Sequence, residues 1–405
     1  MPQRSRARIG GKGALRRAWQ RARGFAVAIG AGLIIAAAML GSLLASPALR
    51  TFFREEMAHN GIAVFMLYWL VGMAILVVVI YLQIIIHEGG HLVCGLAGGY
   101  RFVSFRVGSL ILYRDGGRLR LGRFSIAGTA GQCLLEPPTD NIADATGIPY
   151  RAYSAGGWAA NLAAAAVAAA LLAAGIQNAA GAFTAAMFIV TGIVMAAMNG
   201  IPMRVGGMPN DGYTARIMGR EAAMRRALWV QLTVNAQYSR GRRLRDMPDE
   251  WFSLPEGADL ANHMHTTVAM FDVWRQVERH DFEAADAILR RLHACSGRMI
   301  EIFRLENSAD RMFVSILLRR PRSVIRNIYT AQVARYMAAD ARHNISHALE
   351  LYALERFVEG DRAGAEARSA AIRRTLPQHH ARGEAEDCAE LLAWMETLPD
   401  DYLCD

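Results

Sequence analysis

Residues 61–98 read GIAVFMLYWLVGMAILVVVIYLQIIIHEGGHLVCGLAG, an apolar stretch broken only by His87-Glu88-Gly89-Gly90-His91. About twenty apolar residues suffice for a helix to cross a bilayer. This stretch is therefore too long for one untilted span, and part of it extends past the hydrocarbon or is enclosed in a bundle. Ionisable side chains within such a run are costly and mark function. Helical positions i and i+4 share a face, so His87 and His91 present two imidazoles to one metal ion. Glu88, one position on, reaches a water held by that metal without being a ligand itself, as in H-E-x-x-H hydrolases. Gly89 and Gly90 let another backbone approach closely. The bland alternative, two core histidines with a stray carboxylate, leaves an uncompensated charge in apolar surroundings.

Outward from this segment the chain divides into two regimes. Three further apolar runs, 24–45, 157–175 and 180–199, all precede residue 205, and none follows it. The net charge of +9 invites a nucleic-acid reading. The arginines instead cluster beside the apolar runs, as the cytoplasmic flanks of membrane proteins do, so nucleic acid is not an expected partner. Residues 1–23 are basic and contain no acid, and 24–45 is long enough for a transmembrane helix; a cleaved signal peptide is its rival reading. Four crossings from a cytoplasmic N-terminus put 100–155 and everything beyond about 200 in the cytoplasm. Those are the segments rich in arginine, and the composition points to a bacterial inner membrane. Cysteines 94, 133, 295, 388 and 404 show no paired spacing, which argues against disulfides or a thiolate zinc site.

Between the runs, 100–135 alternates apolar and charged residues about Asp115-Gly116-Gly117, a hairpin signal. Beyond 257, apolar residues recur at helical spacing on either side of His280-Asp281 and Gly360-Asp361, suggesting paired, repeat-like helices. His263, His265, His293, His343, His347, His379 and His380 read as surface residues. The expected fold is an all-α polytopic membrane protein. It has four transmembrane helices, a small membrane-associated β-hairpin and a soluble, tetratricopeptide-like C-terminal helical domain. Its expected segments are a basic tail (1–23), a first helix and external loop (24–60), a membrane core (61–215), a basic linker (216–256) and the helical domain (257–405).

Two histidines need a third ligand, and spacing alone leaves Asp115, Glu136, Asp140, Asp144 and Asp211 open. Later motifs resemble those of the site-2 protease family of intramembrane zinc metalloproteases. They are Asn199-Gly200-Ile201-Pro202 followed by Pro209-Asn210-Asp211-Gly212, and Gly157-Trp158-Ala159-Ala160-Asn161, where the family has G-P-x-x-N. The likeness covers roughly residues 64–215. It implies a three-helix core with Zn2+ held by His87, His91 and Asp211 on the cytoplasmic side, and Glu88 as general base. Asn199 and Asn161 are candidate substrate-positioning amides, with interhelical hydrogen bonding as the alternative role. The resemblance implies that the strand-like region 102–126 pairs with an unwound substrate, with a plain cytoplasmic hairpin as the alternative. The expected activity is hydrolysis of membrane-spanning or membrane-associated proteins or peptides, with the lipid bilayer as surroundings and a protein partner for the C-terminal domain. The alternative is a non-proteolytic membrane scaffold whose helical domain binds partners. A metal transporter would need a path of further ionisable groups, which the other apolar runs lack.

Overall fold

The hydrophobic continuity around HEGGH produces one uninterrupted helix, α1 (Pro47–Ala97), in the computed structural model, which describes residues 47–125, 129–175, 178–205 and 208–403. At 1.5 Å per residue its 51 residues span about 76 Å, well beyond a bilayer's hydrocarbon thickness. The helix ends where Gly99 (φ +84°) turns the chain and Tyr100 N–H bonds back to the Gly95 carbonyl.

The chain forms two compact units. The first contains α1, α2 (Tyr150–Ala173), α3 (Ala179–Gly200) and the short α4 (Asp211–Arg220). Between α3 and α4 lies a two-stranded ribbon in which Arg204 pairs with Pro209 and Val205 with Met208. Three segments, Ile62–Ala97, Tyr150–Ala173 and Ala180–Gly200, are long and apolar enough to cross a membrane. The expected first span, 24–45, lies outside the described residues. Small residues set the helix approach: a Cβ on Gly90 would stand 2.1 Å from the Gly156 carbonyl oxygen, so α1 and α2 cross almost backbone to backbone. Gly89 faces open space.

The second unit contains most of a four-stranded antiparallel sheet, ordered β3-β2-β1-β4, and a stack of helices. Strands β1 (Arg101–Val107), β2 (Leu110–Asp115) and β3 (Arg118–Arg123) form a meander, and β4 (Gly131–Glu136) closes the order. Asp115 pairs with Arg118 across Gly116-Gly117, whose positive φ angles (+54° and +84°) suit the tight turn expected there. The strands are thus more than a lone hairpin, and residues 101–130 group with the helices rather than with the apolar core.

The segment expected as a basic linker, 216–256, is largely structured. Its α5 (Ala222–Ser239) buries Trp229, Val230 and Val234. Its arginines meet acids and carbonyls inside this unit. Arg240 grips Glu136, Arg243 pairs with Asp387 and Glu390, and Arg226 donates to the Ser253 carbonyl. Composition could not foresee this, because the acids lie far away in sequence.

Helices α6 (His263–Glu278) and α7 (Phe282–Ala294) flank the expected His280-Asp281 turn, with His280 at φ +58° and Asp281 capping the Ala284 N–H. Then follow α8 (Glu301–Leu317), α9 (Arg322–Ile328), α10 (Ala331–Asp340) and α11 (Ile345–Ala353). Helix α11 runs into a π-helical turn, Leu354–Glu359, ending at Gly360 (φ +70°). Asp361 then caps α12 (Arg362–Thr375), and α13 (Arg382–Glu396) follows. Leu289, Phe313, Ile316, Leu349, Phe357 and Leu392 form the core of the stack. His347 and His265 are buried here, contrary to their reading as surface histidines, because polar partners inside the stack receive them.

Candidate metal centre

His87, Glu88 and His91 occupy the last third of α1, and all three are buried. The two imidazoles stand nearly perpendicular, at 82°, with centroids 4.9 Å apart. Each Nδ1 is engaged. His91 Nδ1 donates to the Tyr153 carbonyl at 2.6 Å. His87 Nδ1 lies 2.8 Å from Asn161 Oδ1. The Asn161 amide is oriented by its other end, because Nδ2 donates to both the carbonyl (2.9 Å) and Oε1 (2.7 Å) of Gln83. Oδ1 is therefore an acceptor and His87 Nδ1 carries the proton. Gln83 is anchored in turn by donating from Nε2 to the Phe188 carbonyl at 2.9 Å. Both rings are thereby fixed in the tautomer that leaves an Nε2 lone pair free.

The free nitrogens converge with one carboxylate. His87 Nε2 and His91 Nε2 are 3.3 Å apart, and Asp211 Oδ2 lies 3.1 Å from the first and 3.3 Å from the second. A tetrahedral ion with bonds of about 2.0–2.1 Å requires ligand atoms about 3.3 Å apart, so the three donors fit zinc. The space is kept by Gly157, where a Cβ would fall 2.5 Å from His91 Nε2 and 2.6 Å from His87 Nε2.

Asp211 opens α4, and the preceding Asn210 aims it. Asn210 Oδ1 accepts from the N–H groups of Met203 (3.1 Å) and Tyr213 (2.8 Å). Its Nδ2 donates to the carbonyls of Met198 and Ile201, each at 2.6 Å. One amide thus ties the end of α3, the ribbon and the start of α4 together. With no ion between them, Nε2–H donation and charge from His87 and His91 outweigh the upward push of burial and hold the Asp211 carboxyl well below the usual carboxylate range; a bound cation would take the place of those protons.

Glu88 lies beside Gly131, where a Cβ would stand 2.4 Å from Glu88 Oε1. Nearby, Tyr153 donates from its hydroxyl to the Cys133 carbonyl (2.9 Å) and stacks on Tyr100 with centroids 5.2 Å apart. Burial, and next the charge of Glu88, push the Cys133 thiol up to about 12, so it is no nucleophile at neutral pH.

Of the five acids left open by spacing, Asp211 joins the histidines. Asp115 binds Arg120 and Arg382, Glu136 and Asp140 hold Arg101, and Asp144 meets Thr139. Asn161 is fully committed to His87 and Gln83, whereas Asn199 Nδ2 donates to the Met195 carbonyl of its own helix at 3.0 Å. Three residues here escaped the sequence reading: Gln83, Asn210 and, for its role beside the ligands, Gly157. A glutamine four residues before His87 in an apolar helix, and an asparagine in a Pro-Asn-Asp-Gly turn, were the available signals.

Compared with protein-family models, curated proteins and solved structures, the chain matches none. The family likeness therefore rests on the motifs alone.

Proposed function

We propose that the chain is an intramembrane zinc metallopeptidase of the site-2 protease type, cleaving membrane-spanning or membrane-associated substrates near the cytoplasmic face. The observation that carries this reading is the convergence of His87 Nε2, His91 Nε2 and Asp211 Oδ2 at zinc-ligand spacing, with both Nδ1 atoms already committed to acceptors. Such a triangle of donors has no structural need that a simpler apolar contact would not meet. A zinc ion bound there would supply Lewis acidity, bringing the pKa of a water towards about 7 and polarising a peptide carbonyl.

The residues of the chain do the rest. Glu88 takes the proton of the attacking water and returns it to the leaving amide nitrogen, so that one carboxylate serves as base and then as acid. Asn161 and the Tyr153 carbonyl are positioning groups that hold the imidazoles. Gly157 keeps the approach open beside them. Exposed apolar side chains along α1, among them Leu67, Trp69 and Val78, suit lipid contact and support a membrane-embedded substrate. Both termini are cytoplasmic in this reading, in a bacterial inner membrane.

The test uses the full chain purified in detergent, with bound zinc measured by elemental analysis and cleavage followed on a panel of single-span membrane proteins. Glu88→Gln should keep the zinc of the wild type and cleave nothing. Asp211→Ala and His87→Ala should each lose one equivalent of zinc together with activity. Normal cleavage by Glu88→Gln would overturn the proposal.

A further inference from the structure

The helical unit contains a second convergence of ligand-type side chains, unrelated in sequence to HEGGH. The two nitrogens of His347 face different acids. Nδ1 lies 3.0 Å from Asp340 Oδ2, while Nε2 lies 2.8 Å from Glu306 Oε2 and 3.9 Å from Glu350 Oε2. Glu306, Asp340 and His347 each offer one ligand atom within 4.8 Å of the others. Helices α8, α10 and α11 supply them, and Asn344, capping α11 at the Ser346 and His347 N–H groups, sets the direction of His347.

The surroundings are acid-rich in a way that folding alone does not explain. A cavity of about 220 Å³ is lined by Glu278, Glu306, Asp310, Glu350, Glu384 and Asp387, with His347 among them. At one end charges are matched: Arg243 pairs with Asp387, and Glu278 accepts from the Tyr238 hydroxyl and the Arg245 N–H. At the other end they are not. Glu306, Asp310 and Asp340 have His347, Tyr336, Trp274 and Asn344 as hydrogen-bonding partners, and among the described residues no arginine pairs with these three or with Glu350. Glu350 is 0% exposed and lines the cavity; its carboxyl faces that of Asp310, and neither Glu350 oxygen nor Asp310 Oδ2 meets an N–H or hydroxyl donor. Of the four, Asp310 and Glu350 are buried, and a buried carboxyl pair requires a proton or a cation.

We propose that this end of the cavity is a divalent-cation site, in which His347 Nε2, Glu306 and Glu350 are the ligands and Asp340 fixes the imidazole through Nδ1–H. The arrangement Asp340–His347–ligand space is the carboxylate–histidine relay found behind metal-binding imidazoles. One nitrogen with several carboxylate oxygens favours a first-row transition ion such as Mn2+ or Zn2+ over Ca2+, which takes six to eight oxygens. The neighbouring thiol of Cys388 points its hydrogen at the Ile345 carbonyl (3.9 Å) and is not among the proposed ligands. A second cavity of about 150 Å³ reaches Glu306 and Asp340 past His343 and supplies an entry route. The cavities leave room for coordinated waters.

The experiment uses the full chain in detergent carrying His87→Ala and His91→Ala, so that the first centre contributes nothing. Mn2+ is then titrated and followed by the loss of the free-ion electron paramagnetic resonance signal, with Zn2+ added as competitor. The expected result is one bound Mn2+ that Zn2+ displaces. Adding Glu350→Gln should weaken binding at least 100-fold, Asp340→Asn about 10-fold, and the surface change Glu390→Gln not at all. Helical circular dichroism verifies that each variant is folded, and Asp310→Asn replaces Glu350→Gln if the latter fails to fold. Absence of Mn2+ and Zn2+ binding in the His87/His91 background, or binding indifferent to both cavity substitutions, would overturn the site and leave a proton-sharing acid network. The outcome is independent of proteolysis, since no substrate is involved.

Discussion

At the scale of single residues, the candidate zinc centre depends on which atom of each histidine is left free. Asn161→Ala removes the acceptor that keeps His87 Nδ1 protonated. Zinc affinity should fall about 10- to 100-fold, as for other partners behind metal ligands, while Asn161→Asp should restore most of it. Competition with a chromophoric chelator reads both values. Gly157→Ala places a methyl group where the imidazole nitrogens meet. It should abolish zinc binding with helical content unchanged; retention of zinc would show that the ligands sit elsewhere. His87, Glu88 and His91 were legible in the sequence because an i, i+4 pair with its glutamate is local, and helical geometry alone brings it together. Asp211 needed the motif likeness, since it is 124 residues from His87 and one of five acids allowed by spacing. The asparagines were visible as amides, but the partner that turns Asn161 into a support for His87 is a second amide, Gln83, on another helix.

At the scale of elements, the long apolar helix and the Asp115-Gly116-Gly117 hairpin followed from pattern, since hydrophobic periodicity and turn chemistry act within a few residues. The arginine-rich segment did not. Arg243 and Asp387 lie 144 residues apart, and no local property distinguishes an arginine destined for such a pair from one left in water. Both partners are largely buried, so Arg243→Met should destabilise the helical unit by about 3–5 kcal/mol, the usual effect of stranding a buried charge. Urea unfolding followed by the fluorescence of the buried Trp229 measures this, and a loss under 1 kcal/mol would mean that the pair is solvated. The crossing of α1 on α2 makes a complementary case. Gly156→Val has no room against the Gly90 carbonyl, so it should separate the helices and abolish zinc binding and cleavage together.

For the molecule as a whole, stability should depend on pH through the acid-lined cavity. Burial opposes the charge on His347, but Asp340 and Glu306 outweigh it and raise its pKa to about 11. Its contribution to stability is complete below its unfolded value near 6.5 and disappears as pH rises towards 11. Burial pushes Glu350 and Glu278 upward as well. These carboxyls hold protons in the folded state that the unfolded chain has released, so they also favour lower pH. All three act in one direction between pH 6 and pH 9. With chelator present, the thermal midpoint of the helical unit should fall across that interval, and a flat profile would mean that these acids are not buried. A contrast between apolar and polar halves was legible in the sequence, and the chain forms two compact units. Their boundary was not legible, because the strands of 101–130 and helix α5 join the polar unit through contacts that composition does not encode.

The chain of amides from the Phe188 carbonyl through Gln83 and Asn161 to His87 passes through α3, α1 and α2 in turn. Each link is one or two hydrogen bonds of fixed length, so sliding one helix along another by even one residue's rise of about 1.5 Å breaks it. The metal affinity of such a centre acts as a gauge of helix alignment. A harsher solubilising agent that lets the three helices slip should release zinc while every helix is still intact, and the order of those two losses can be read in one titration.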